Sequence, residues 1–205
     1  MKNPEDYTSD PGLKKIIRQI RLGRRITREE GVLLYEKAGL SLLSLLADTA
    51  RRKFNGNKVF FNRNFHIEPT NICVHNCRFC SYHKPEGDPE SWEYSHEDML
   101  EMVRKFDGKE VTEVHITGGV HPNHDINYYG GLLQKIKQVR PAIHIKAYSA
   151  VELDRMIEQS GMTTGQGLLQ LKGCGLDSIP GGGAEIFDET IRKKICPEKS
   201  TAERW

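Results

Sequence analysis

The chain has 205 residues, enough to bury a hydrophobic core, and its 30 basic and 28 acidic side chains leave a net charge of +2. So even a balance provides no field to gather nucleic acid, which leaves a small molecule as the expected partner. Five cysteines, an odd count, and an N-terminus (MKNPEDYTSDPGLKK) with no apolar segment or cleavage site argue against a secreted disulfide scaffold, and no apolar run approaches the about 20 residues that cross a bilayer. A soluble, cytoplasmic protein is expected.

From Asp10 to about Lys53 apolar residues recur at helical spacing, with Leu13, Ile16, Ile17 and Ile20, a break at Gly23, then Val32 to Leu34 and Leu40 to Leu46. Thr27 and Glu30 form a capping-box signature, and the leucine-rich stretch from Leu40 to Ala47 predicts a core-facing helix. Residues 1–55 are therefore expected to form a helical extension. After the Asn55-Gly56-Asn57 turn signal the rhythm changes: a strand is predicted over Lys58–Ile67, a helix over Ser95–Phe106 opened by Ser95 and Asp98, and a strand over Val111–Thr117. A helix over Tyr128–Val139, a strand over Ala142–Ser149, one or two helices over Val151–Lys172 and a short fourth strand over Leu176–Ile179 complete the pattern. Alternating strands and helices predict an α/β fold of parallel βα units, about four of them, as the start of a TIM-type barrel in residues 56–205. A closed barrel takes about 250 residues, and Ser200 to Glu203 reads as a capping box followed by only two residues. The chain is accordingly expected to be the front part of a longer protein.

In such a barrel the working residues gather at the C-terminal ends of the strands. The first such place holds Cys73, Cys77 and Cys80 in EPTNICVHNCRFCSYHK. Three thiolates spaced C-x3-C-x2-C can hold three corners of a cubane iron–sulfur cluster and leave one iron open to a ligand. Zinc is the competing reading, with His75 or His83 completing a tetrahedron, but His75 lies within a loop too short to bend around it. Gly118 and Gly119 end the second strand, where the lack of side chains lets a ligand's amino group approach. Ser149 and Glu152 follow the third and can reach ribose hydroxyls or a substrate carboxylate's neighbours, although an acid there also suits a helix start. Gly181, Gly182 and Gly183 follow the fourth and allow a loop to wrap a flat ligand, with Glu185 available to an adenosine or ribose hydroxyl; no P-loop lysine follows them. His66, Glu68 and Asn71 precede the cysteines and are expected to face the barrel mouth. His121 and His144 read as structural histidines, Cys174 as a small buried hydrophobe, and Cys196 has no assigned role.

The cysteine triplet with Phe79 before its last member resembles the radical S-adenosylmethionine enzymes. The stretches HIEPTNICVHNCRFCSY, EVHITGGVHP, IHIKAYSAVEL and GLDSIPGGGAEIFDETIRKKICPEK resemble, within them, the aminofutalosine synthase family of the futalosine route to menaquinone, from about Gly23 onward. The triple-glycine box is shared with the dehypoxanthine futalosine cyclases and the deazaflavin-forming synthases. The resemblance implies a 4Fe–4S cluster on the three cysteines and S-adenosylmethionine bound near Phe79, Gly118, Gly119, Glu152 and Glu185. The substrate would lie near His66, Glu68, Asn71, Ser149 and Gly181–Gly183, with flavodoxin or ferredoxin as electron donor. The implied reaction adds a 5′-deoxyadenosyl radical to 3-[(1-carboxyvinyl)oxy]benzoate and yields aminodeoxyfutalosine. A chain lacking the back of the barrel and holding only a cluster or zinc ion is the non-enzymatic alternative.

Overall fold

A computed structural model describes residues 3–183 and 185–199, in two compact units, Met1–Phe61 and Asn62–Trp205. The Ser200–Glu203 capping box lies outside the described residues, as does Ala184 of the glycine loop.

The first unit is helical: α1 (Pro11–Arg21), α2 (Arg28–Lys37) and α3 (Leu40–Asn55). Each start has a local cause. Asp10 accepts from the Gly12 and Leu13 N–H groups at 2.7 and 3.1 Å, and Thr27 and Glu30 exchange side-chain and backbone bonds at 2.9 and 3.2 Å, completing the predicted capping box. Gly23, at φ +71°, ends α1 with a turn that other residues disfavour. The helices bury Leu13, Ile16, Ile17, Leu34, Leu42 and Leu46 together, so the leucine stretch of α3 faces the core as expected.

In the second unit β1 (Asn64–Ile67), β2 (Glu113–Ile116) and β3 (His144–Ala147) form a parallel sheet in sequence order. The connections carry α4 (His96–Arg104) and α5 (Ile126–Val139); α6 (Ala150–Gln159), α7 (Thr164–Gly173) and α8 (Glu189–Ile195) follow. Alternation sorts the strand residues by face. Phe65, Ile67, Val114, Ile116, Ile145 and Ala147 are buried with Met99, Leu132, Leu133 and Ile136 of the helices, while Asn64, His66, Glu113, His115, His144 and Lys146 share the other face. Within α7, a Cβ at Gly167 would collide with Ile157 of α6, so one of the helix glycines is there to let two helices meet.

Two strand expectations need correction. Residues 58–63 do not extend β1, which pairs with β2 only from Asn64 onward, and Val59, Phe60 and Phe61 are exposed. The fourth strand reduces to one parallel bridge, Lys146 to Ser178. Asp177 Oδ2 and the Asp177–Ser178 main chain bond to Ile145, and Ser178 O accepts from Ala147 N. Pro180 then has no N–H to give, and Gly181 at φ +76° turns the chain away. The result is an α/β fold with three parallel strands, an incomplete barrel.

Candidate functional site

The cysteine loop is fastened by its own backbone. Cys73 N donates to Lys84 O at 3.0 Å, Lys84 N to Asn71 O at 2.8 Å, and Val74 N to Val120 O at 2.9 Å, so the loop is held both to its own return and to the end of β2. Within it Cys80 N donates to Cys77 O at 3.0 Å, and His83 lies 2.9 Å from Cys80 O through Nδ1 and 3.0 Å from the Asn76 side-chain oxygen through Nε2. Both His83 nitrogens are thereby engaged within the loop, which removes it from the zinc reading.

Three cysteines on one loop, spaced C-x3-C-x2-C, are the donor set of a cubane cluster that keeps one iron open. Burial pushes the Cys73 thiol up, and burial followed by contact with the Cys196 thiol pushes Cys77 up to about 12. Unmetallated, these thiols hold their protons at neutral pH, and loading the site releases them.

Cys196 and Lys199 come from the far end of the unit and were not assigned roles from sequence, because no local spacing links them to the loop. Arg78 N donates to Ile195 O at 2.8 Å, which brings Cys196 against Cys77. The Lys199 side chain is only 8% exposed. Its ammonium donates to Gly183 O at 3.2 Å and to the Glu185 carboxylate at 3.0 and 3.1 Å, and lies 5.3 Å from the centre of the half-exposed Phe79 ring. One lysine therefore ties the glycine loop to the cysteine loop. Glu185, at φ +51°, is held by that lysine rather than turned toward a ligand.

Gly118 and Gly119 also answer a packing demand. A Cβ at Gly118 would sit 2.8 Å from Thr70 O, and one at Gly119 would fall on Ile72 O. The space beside them is filled by the strand leading into the cysteines. Both N–H groups are also engaged, Gly118 N by Glu152 Oε1 at 3.1 Å and Gly119 N by Thr70 O at 2.8 Å. Carbonyls are what this turn can offer to a ligand.

Glu152 is buried, and its carboxylate accepts from Thr117 Oγ1 at 2.9 Å, Gly118 N at 3.1 Å, and the Ser149 N and Oγ at 2.7 Å each. Burial pushes its carboxyl above the usual range despite those bonds. Ser149 and Glu152, expected near ribose hydroxyls, thus bolt the end of β3 to the end of β2. Tyr148 makes the turn between them at φ +63°, a conformation that costs about 1–3 kcal/mol and is held by full burial and a 3.1 Å bond to Tyr129 O. Asn71, expected near the substrate, donates to Glu90 O at 3.0 Å and accepts from Trp92 N at 2.8 Å. Glu68 is exposed, 3.4 Å from the Tyr82 hydroxyl, and His66 lies on the polar sheet face. Gly181 and Gly182 have positive φ and nothing near their Cβ positions, whereas a Cβ at Gly183 would sit 2.6 Å from Val151 Cγ2.

Glu93, His121 and His124 converge as a group able to hold an ion. His121 Nδ1 accepts from Asn123 N at 3.1 Å, so Nε2 carries the proton and points it at Glu93, 3.6 Å away. His124 Nε2 lies 2.8 Å from the same carboxylate. His124 Nδ1 is enclosed without a hydrogen-bond partner, whereas His144 lies 2.7 Å from Ser178 Oγ.

The profile of the radical SAM superfamily matches residues 67–205. Aminodeoxyfutalosine synthase of Streptomyces coelicolor is 37% identical over 197 residues, 96% of this chain and 51% of that protein. A 5-amino-6-(D-ribitylamino)uracil–L-tyrosine 4-hydroxyphenyl transferase of Methanopyrus kandleri is 37% identical over 159 residues, 78% of this chain and 43% of that one. The chain spans about half the length of the curated relatives it matches. Among solved structures, the FeFe-hydrogenase maturase HydG shares the fold at a TM-score of 0.72 and 18% identity, over 96% of this chain and 42% of HydG. No helix among the described residues is long and apolar enough to cross a membrane. A profile match running from the end of β1 through the cysteine loop and beyond places the chain in the radical SAM superfamily, whose cofactors are a 4Fe–4S cluster and S-adenosylmethionine.

Proposed function

We propose that this chain carries the cluster-binding part of an aminodeoxyfutalosine synthase, which joins the adenosyl group of S-adenosylmethionine to 3-[(1-carboxyvinyl)oxy]benzoate with loss of carbon dioxide. The supporting observation is 37% identity to the Streptomyces coelicolor enzyme along 96% of the chain, helical unit included. Cys73, Cys77 and Cys80 would hold the cluster, which when bound supplies the electron for reductive cleavage of S-adenosylmethionine. Phe79 and the Gly181–Gly183 loop, joined through Lys199, would flank a cluster held by the cysteine loop. The Gly118–Gly119 turn, fixed by Glu152 and Thr70, presents carbonyl acceptors suited to a ligand ammonium. The electron comes from a low-potential donor such as flavodoxin or ferredoxin.

The similarity to the Methanopyrus kandleri transferase supports a second reading, in which the same apparatus acts on tyrosine. Anaerobic incubation of the cluster-reconstituted protein with a chemical reductant, S-adenosylmethionine and each candidate substrate separates the two. Aminodeoxyfutalosine from the enol-ether benzoate is the expected product. A 4-hydroxyphenyl transfer product from tyrosine, with none from the benzoate, moves the assignment to the transferase, and a Cys77→Ala protein with an unchanged cluster spectrum would sink both.

A further inference from the structure

We infer that His66, His115 and Lys146 form a carboxylate-recognition row on the polar face of the sheet. The three residues are paired in register across β1, β2 and β3, His66 with His115 and His115 with Lys146, so they lie in one line across the strands. Their neighbours on either side, Phe65 and Ile67, Val114 and Ile116, Ile145 and Ala147, are buried on the opposite face, and alternation therefore turns all three toward the concave side.

The row is built for an anion with an aromatic body. The imidazoles of His66 and His115 lie 4.7 Å apart between centroids and tilted by 54°, presenting ring surface beside their nitrogens. His115 Nε2 is enclosed and has no hydrogen-bond partner in the protein, a condition that costs about 1–3 kcal/mol and that a ligand oxygen relieves. Lys146 has three N–H donors; Glu113 Oε1 takes one at 3.0 Å, and this carboxylate is itself held by Asn62 and Asn64 at 3.3 and 3.4 Å. The fold thus already displays how this face grips one carboxylate. His144, the remaining ionisable group on the face, is occupied by Ser178 Oγ and lies 4.0 Å from Glu113.

The chemistry that matches two imidazoles and an ammonium beside ring surface is a small aryl carboxylate. The class of ligand follows from the row; its identity as the enol-ether benzoate rests on the function proposed above. Only His66 was legible as a substrate contact, because its partners in the row lie on separate strands.

Equilibrium dialysis of the cluster-reconstituted protein tests this without turnover, using three probes: 3-[(1-carboxyvinyl)oxy]benzoate, its dimethyl ester and L-tyrosine. The acid is expected to bind at least about tenfold tighter than the ester, as charge-assisted bonds to the row require. Lys146→Met and His115→Leu should each weaken the acid about tenfold and leave the ester, S-adenosylmethionine binding and the cluster spectrum unchanged, while Lys146→Arg retains much of the affinity. Equal binding of acid and ester, variants that hold the acid like the native protein, loss confined to S-adenosylmethionine, or no binding of either carboxylate would overturn the row. Lys146-dependent binding of tyrosine alone upholds it and overturns the proposed reaction instead.

Discussion

Glycines border the cysteine loop twice, at Gly118–Gly119 after β2 and at Gly181–Gly183 beyond Ser178, and the two sets answer different physical demands. At the first pair the backbone is ordinary and the constraint is space, since the chain leading to Cys73 lies where a Cβ would be. At the triplet the constraint is mainly conformation, with φ of +76°, +83° and +91°, and two of the three positions face open space. A glycine that makes room is buried and rigid, whereas one that permits a turn can stand at the surface and still be required. The first set determines where the cysteines sit; the second, with Lys199, determines what closes over them.

Substitutions can break this distinction. The largest effect is expected for Gly119→Ala, where a methyl group meets main chain that has no room to move: a loss of about 3 kcal/mol in urea denaturation, with iron content after reconstitution falling in parallel. Glu152→Ala comes next, at about 2–3 kcal/mol, because it leaves donors from Thr117, Gly118 and Ser149 without their acceptor. Lys199→Met keeps the apolar stem and removes the ammonium, so about 1–2 kcal/mol should be lost, together with faster proteolysis within the Gly181–Gly183 loop. Gly181→Ala, with strain but no collision, is expected to cost only about 1 kcal/mol in thermal denaturation. A Gly181→Ala loss equal to that of Gly119→Ala would erase the distinction.

Much of this was readable in the sequence where one local interaction decides the outcome. The Thr27–Glu30 and Ser95–Asp98 caps, the break at Gly23 and the alternation of β2 and β3 are set by residues a few positions apart. The apolar run Val59-Phe60-Phe61 misled because its β-branched and aromatic residues read as strand, whereas β1 begins only at Asn64. The same limit hid the structural contacts of Asn71, Gly119 and Glu152, since only the fold brings Trp92, Ile72 and Thr117 against them. Cys196 and Lys199 were beyond reach because their partners in the cysteine loop lie most of a unit away in sequence.

The bond from Arg78 N to Ile195 O imposes an order in time as well as in space. The cysteine loop is made before the segment that seats Cys196 and Lys199 against it, and closing so long a loop is entropically costly until the intervening βα units have folded. A cluster reaching the chain before residues 186–199 dock would meet three thiols without their cover. The docking of that segment thus separates an open cysteine loop from a covered one.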